Sequence, residues 1–241
     1  MRAQTVGIIG AMQPEIELLK GRLKNRETHR FGAFEIDTGE LGGCRAVLSL
    51  SGIGKVNAAV ATALLVRHFS PDCIINTGSA GGLGSGLKVG DVVVGVQTAH
   101  HDVDVTAFGY APGQVPQLPP VFASDADLVE AAGQAAAAFD GAAVHFGQIV
   151  SGDQFIHSTE KSAQLRALFP GALAVEMEAA AIAQTCAQLD VPFVVVRALS
   201  DTADEQAEVS FDEFLQQAGR RSAQMVEAMI AALAQRGGDG G

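Results

Sequence analysis

Apolar positions in this chain gather into runs too uninterrupted for strands with one wet face. TVGIIGAM near the start, CIIN from Cys73, VVVGV from Val92, ALAV from Ala172 and FVVVRALS from Phe193 carry almost no charge. Continuous β-branched stretches of this kind predict strands covered on both faces, and therefore a parallel or mixed sheet with helices on either side. Between them the spacing turns helical. PEIELLKGRLK opens with Pro14 at a first helical position, where the missing N–H costs nothing, and VNAAVATALLVRHF runs until Pro71 stops it. ADLVEAAGQAAAAF, STEKSAQLRAL, EAAAIAQTCAQL and a long segment from Phe211 to Gln235 complete the helical set.

FGAFEIDTGEL and CRAVLSL, parted by Gly42-Gly43, predict a hairpin or adjacent strands, and AAVHFGQIV predicts one more. The alanines from Ala135 to Ala138 fall in a helical pattern and read as helix surface. Strand and helix alternate almost throughout. The expected fold is therefore α/β: a three-layer α/β/α sandwich with a central mixed, mostly parallel sheet and right-handed crossovers. One domain is expected over residues 1–236, followed by a disordered Gly-rich tail at 237–241. The longest irregular stretch, His100 to Pro120, holds Pro112, Pro116, Pro119 and Pro120, and loops of that length inside a domain are usually functional.

Composition narrows the partners. With 241 residues, 48% hydrophobic and 18% charged, the chain has the make-up of a folded domain. Its net charge of −11, with no local Lys/Arg cluster, argues against nucleic acid and against an anionic membrane. No apolar stretch is long enough to cross a bilayer, and Gln13-Pro14-Glu15 interrupts the first run where a secretory signal would need small residues. Cys44, Cys73 and Cys186 are far apart and lie in or beside apolar stretches, which predicts reduced thiols and a cytoplasmic protein.

In sheets of this kind ligands sit beyond the carboxyl ends of the strands. Here those ends carry acids: Glu15 after GIIGAM, Glu176 and Glu178 after ALAV, Asp201 after FVVVRALS. Acids beside an apolar core are costly unless they do something. Glu15 falls in a first helical turn, where the positive end of the helix favours a carboxylate, so it is either a simple terminus acid or a general base toward water. Glu176 and Glu178 lie two apart and share a face if the chain is still extended there; a carboxylate accepts from both hydroxyls of a vicinal diol, which makes ribose a plausible ligand. Asp201 is an N-cap or turn former, or else a desolvated acid that keeps a proton to give away. A base and an acid facing one another are what glycoside cleavage uses.

CIIN ends on Thr77-Gly78-Ser79-Ala80-Gly81-Gly82. This cluster lacks the Lys-Ser/Thr of a phosphate loop and the spacing of a dinucleotide fingerprint, so it is read as a turn or as backbone brought close to a ligand. Arg197, inside an apolar strand, must be paired, with Glu176, Glu178 or Asp201 as candidates. His100-His101-Asp102 with Asp104 is a weak metal pattern, and no metal is expected.

In order along nearly the whole chain, GIIGAM, SGIGKVNAA, INTGSAGG, VGDVVV, HDVDVTAFGY, VSGDQFI, AVEMEAAAIA, PFVVVRALSD and SFDEF resemble the bacterial 5′-methylthioadenosine/S-adenosylhomocysteine nucleosidases of the nucleoside phosphorylase superfamily. The resemblance implies a nucleoside phosphorylase-like subunit, a homodimer, and hydrolysis of the adenine–ribose bond of adenine thionucleosides without cofactor or metal. It implies that Glu15 activates water, that Asp201, supported by Ser200, protonates N7 of the base, and that Glu178 holds the ribose hydroxyls. Met177 would pack beside sugar and base, with Ser79 and Arg197 completing the ribose and water site. Phe155 and Ile156 would meet the base, with Phe211 and Ala203 nearby. Glu176, Met12, Ile53, Ala80 and Gly81 would complete the binding site. Phe108, Tyr110 and Pro116 resemble a loop that a neighbouring subunit inserts over the 5′-thio group. Two departures stand out: Gln13-Pro14, where the family has acids, and His157, where it has a small polar residue near the base pocket. Two alternatives remain, a purine nucleoside phosphorylase, which needs arginines converging on phosphate, and a non-catalytic nucleoside binder.

Overall fold

The apolar runs become the inner strands of one sheet, and the segments between them become its helical covers. The computed structural model describes residues 3–137, 142–204 and 207–235. Ala138 and the expected tail at 237–241 lie outside them. The strands are β1 (Thr5–Gly10), β2 (Lys24–Phe31), β3 (Phe34–Leu41), β4 (Cys44–Leu50), β5 (Cys73–Gly82), β6 (Val92–His100), β7 (Phe122–Ala123), β8 (Val144–Ser151), β9 (Ala172–Glu176) and β10 (Phe193–Asp201). The helices are α1 (Gln13–Arg22), α2 (Lys55–Phe69), α3 (Ala126–Ala137), α4 (Thr159–Leu168), α5 (Ala179–Gln188) and α6 (Ala207–Gln235).

Parallel pairing joins β4, β1, β5 and β10 in that order, and joins β6, β8 and β9. Antiparallel pairing adds β3 and β2 at one edge and links β10 to β6. The sheet is mixed, as expected, and it also curls back on itself. The far end of β5 pairs with β9 through Gly81 and Gly82, so β5, β10, β6, β8 and β9 close into a ring.

Alternation along β10 explains the layers. Val194, Val196 and Ala198 point into a core built with Leu19 of α1, Leu128 of α3 and Met225 of α6. Phe193, Val195 and Leu199 point the other way, into a core built with Leu65 of α2 and Ile182 of α5. A strand buried on both faces by period-two side chains needs helices on both sides, and it has them. A third cluster, with Leu165 and Phe169 around Val150 and Val175, seats α4 against the ring. No helix among the described residues is long and apolar enough to cross a membrane.

Several expectations are corrected. The segment KNRETHRF is strand β2, where helix α1 was expected to run on to Lys24. An exposed edge strand is held by backbone pairing to β3 and needs no apolar face, so nothing in its side chains announces it. Pro14 is the second helical residue, because α1 starts at Gln13. The glycine cluster read as a loop is the last part of β5, buried throughout. Ala135 is core, not helix surface. α6 starts at Ala207, ahead of the expected Phe211.

Candidate active site

The carboxyl ends of β1, β5, β9 and β10 meet at one cavity of about 330 Å³. Glu15 reaches it from the first turn of α1, Ser79, Ala80 and Gly81 from β5, and Ser200 with Asp201 from β10. Glu176, Met177 and Glu178 enter between β9 and α5. Met12 and Ile53 line it from the loops after β1 and before α2, and Phe155 and Phe211 stand at its rim. Ala11 and Val175 also line it, and sequence reasoning had missed both; each is the neighbour of a residue it had named.

Glu15 is 3% exposed and fully engaged. Oε2 accepts from the backbone N–H groups of Ala11 (2.9 Å) and Met12 (3.0 Å), the latter closing the helix start. Oε1 accepts from the N–H and from the Oγ of Ser79, both at 2.9 Å. Four donors fill the acceptor sites of a carboxylate. The approach depends on glycine: a Cβ at Gly78 would lie 2.8 Å from Oε1. The Gln13-Pro14 departure leaves this arrangement intact, since Glu15 keeps the third helical position.

Asp201 sits on the far side of β5's end and is 2% exposed. Its Oδ2 accepts from Ser200 Oγ at 2.9 Å and its Oδ1 from the Ala203 N–H at 2.8 Å. Burial pushes its pKa upward, and these two donated bonds pull back only in part. Again a glycine makes room, because a Cβ at Gly81 would be 2.7 Å from Oδ1. Ala203 adopts φ +51° to aim its N–H, so it acts from behind the carboxyl and does not line the cavity.

The two glutamates after β9 divide their tasks. Glu176 accepts from the N–H of Glu178 (3.1 Å), from that of Ala179 (3.0 Å) and from Ser151 Oγ, and pairs with Arg197 Nη2 at 2.6 Å. That set holds the start of α5 and uses up the side chain. Arg197, 2% exposed, donates also to Asn76 Oδ1 at 2.5 Å and lies behind Glu176, outside the cavity lining. Of its three candidate partners, Glu176 is the actual one. Glu178, by contrast, takes one hydrogen bond, from the Gly54 N–H at 2.8 Å. Burial, with the negative charge of Glu176 beside it, pushes its pKa upward.

At the rim, Phe211 meets Phe155 edge-on at 5.6 Å. His157 stacks on Phe155 at 6.4 Å and lines an outer recess, not the cavity. Ile156 is buried and borders a small recess beside Gly81 and Asp201. Phe108, at the end of a 3-10 turn (Thr106–Phe108), is 82% exposed; Pro116 is exposed, Tyr110 half-buried, and none lines this chain's own cavity. The weak metal pattern is dispersed: His100 Nε2 meets Gln184, Asp102 meets Lys55, and Asp104 caps Thr106.

A family model described as the phosphorylase superfamily matches residues 5–231. A protein from Exiguobacterium sp. named 5′-methylthioadenosine/S-adenosylhomocysteine nucleosidase is 52% identical over 230 residues, 95% of this chain and 99% of that one. The crystal structure of the nucleosidase of the same name from Neisseria meningitidis, in complex with methylthio-immucillin-A, is 64% identical with TM-score 0.94, covering 95% and 99% of the two chains. A Colwellia psychrerythraea nucleosidase in complex with adenine is 45% identical with TM-score 0.94, covering 96% of each.

The raised Glu178 carries a stability cost with a definite sign. Between its unfolded and folded pKa values the folded chain binds more protons than the unfolded one, so stability falls as pH rises through that window. Glu178→Gln mimics the protonated form. Its thermal midpoint should match that of the parent near pH 4 and exceed it at pH 7–8, as read by calorimetry across pH; equal midpoints at both ends would refute the strained carboxyl.

Proposed function

This chain belongs to the phosphorylase superfamily and, within it, to the 5′-methylthioadenosine/S-adenosylhomocysteine nucleosidases, and we propose that it hydrolyses the adenine–ribose bond of those two nucleosides with Glu15 and Asp201 as its carboxyl pair. The observation that carries the assignment is the unequal setting of two acids on one cavity: Glu15 under four donors, Asp201 desolvated with its pKa raised.

Asp201, holding its proton, gives it to N7 of the bound adenine. The glycosidic electron pair then leaves with the base, and positive charge develops at the ribosyl carbon. Water adds its oxygen there and passes a proton to Glu15, which yields free adenine and the thioribose. Ser79 Oγ is the only rotatable donor among the four on Glu15, and turning it aside lets the attacking water donate to Oε1. Glu178 accepts from the ribose hydroxyls, Met177 packs along the sugar, and Phe155 with Ile156 holds the base. Glu176 lines the cavity with its carboxylate engaged by its own donors, and Arg197 supports it from behind.

The phosphorylase alternative is disfavoured by the same geometry. Phosphate entering on the water's side would face the Glu15 carboxylate, and among the described residues no guanidinium lines the cavity, since Arg197 is committed to Glu176. A non-catalytic binder has no need of both acids.

Exposed Ile53, Val56 and Val60 follow one face of the start of α2, next to the cavity, and Phe108 adds an exposed ring. Together they support a homodimer in which the partner's loop, through the equivalents of Phe108, Tyr110 and Pro116, covers the 5′-thio end of the nucleoside. The cysteines are buried and unpaired, and burial raises the thiols of Cys73 and Cys186 to about 12, which fits a reducing cytoplasm.

Purified protein should release adenine from 5′-methylthioadenosine at the same rate with and without phosphate; a phosphate requirement would reassign it as a phosphorylase. Asp201→Asn and Glu15→Gln should each lower kcat by roughly 10²–10⁴ with the far-ultraviolet circular dichroism unchanged. Near-normal turnover in either variant removes that residue from the scheme. Sedimentation should give twice the chain mass, and Val56→Asp should shift it toward the monomer; an unchanged dimer would move the interface elsewhere.

A further inference from the structure

The three carboxyls that face the nucleoside are not equally anchored. Glu15 is fixed by four donated hydrogen bonds and Asp201 by two. Glu178 is oriented by one, from the backbone N–H of Gly54. Gly54 itself stands at φ +96°, a conformation open to glycine but one of several it could adopt, so its direction is set by its neighbours. What holds it is an ionic knot on the next residue. The Lys55 N–H donates to Asp153 Oδ1 at 2.8 Å, while Lys55 Nζ donates to Asp102 Oδ1 at 2.6 Å. The Asp153 N–H closes the circuit on Asp102 Oδ2 at 2.9 Å.

The knot joins three segments: the start of α2, and the loops that leave β6 and β8 just past their last paired residues, His100 and Ser151. Its packing leaves no slack. A Cβ at Gly54 would lie 3.1 Å from Asp153 Oδ1, and one at Gly152 would strike the His101 ring at 2.4 Å. Burial alone would raise the Asp102 carboxyl, but the Lys55 ammonium and the Asp153 N–H hold it below the ordinary carboxylate range. Asp102 is thus a fixed anion, and the cation that meets it is on the residue next to the one that steers Glu178.

We propose that Lys55 and Asp102 are positioning residues for the ribose grip: their ion pair, with Asp153, fixes the Gly54 N–H and through it the direction of the Glu178 carboxyl. The proposal rests on Glu178 being the group that holds the ribose hydroxyls. It separates affinity for the sugar from affinity for the base, because Asp201, Ala203 and Ile156 take no part in the knot.

The full-length chain is titrated calorimetrically with two ligands, free adenine and a carbon-glycosidic adenosine analogue, which carries the ribose diol but no scissile bond. Lys55→Met should weaken the analogue about fivefold, the size of one partly screened ion pair, and leave adenine within about twofold. Lys55→Arg should recover most of the lost affinity. In a Glu178→Gln background, Lys55→Met should cost less than about twofold more, since the two act in series. Unchanged analogue affinity in Lys55→Met overturns the proposal. So does an equal loss for adenine and analogue, or a full additional loss on top of Glu178→Gln. If Lys55→Met does not fold, Asp102→Asn is read by the same criteria. Adenine release by the parent chain serves as the separate check: without it the nucleosidase reading falls and the proposal with it, whereas an active parent and an indifferent Lys55→Met sink the proposal alone.

Discussion

Two carboxylates lie against a single strand because that strand has no side chain where they touch it. Gly78 admits the oxygens of Glu15 and Gly81 admits those of Asp201, each at a distance a Cβ would occupy. Everything at the site follows from this close approach. It brings the first turn of α1 and the end of β10 to opposite sides of the last residues of β5, sets Ser79 between them, and leaves one cavity facing both acids. β5 runs on past its pairing with β1, which ends at Asn76, and its last residues Gly81 and Gly82 pair with β9.

The cavity concentrates negative charge in a chain that is already acidic. Glu15, Glu176, Glu178 and Asp201 are all buried around it, with Arg197 the buried cation against them. Arg197 donates to Glu176, to Asn76 and to the Val196 carbonyl, so the remaining acids receive no hydrogen bond from it. Glu15 is satisfied by donors. Asp201 and Glu178 are not, and burial drives both toward the protonated form. Strongly shifted carboxyls of this kind cluster at functional sites, and in the proposed reaction one gives a proton to the base while the other accepts from the ribose hydroxyls.

Much of this was legible in the sequence because buried strands are written as apolar runs, and an acid directly after such a run stands at the ligand end of the sheet. That logic found Glu15, Glu178 and Asp201 from the residues, and the resemblance added roles for them. It failed where the signal is backbone. The exposed β2 has no apolar face to announce it, and a glycine cluster looks alike as a turn or as a strand with close neighbours on both faces. It also could not divide Glu176 from Glu178. Spacing puts both near the pocket, but which one is consumed depends on the position of Arg197 and of Ser151, residues distant in sequence that only the folded ring of strands brings together.

The position of Arg197 also bears on the choice of nucleophile. An anionic nucleophile is helped by a cation within contact distance, and among the described residues no guanidinium lines the cavity, since Arg197 lies behind Glu176. On the side where the nucleophile must arrive, the chain presents a carboxylate already bonded to two backbone N–H groups of the helix start and to Ser79. Such a group repels an oxyanion, and once Ser79 Oγ turns aside it can accept from a neutral molecule with protons to share. On the proposed reading, charge favours water over phosphate, through the helix start and the glycine that fix Glu15 in place.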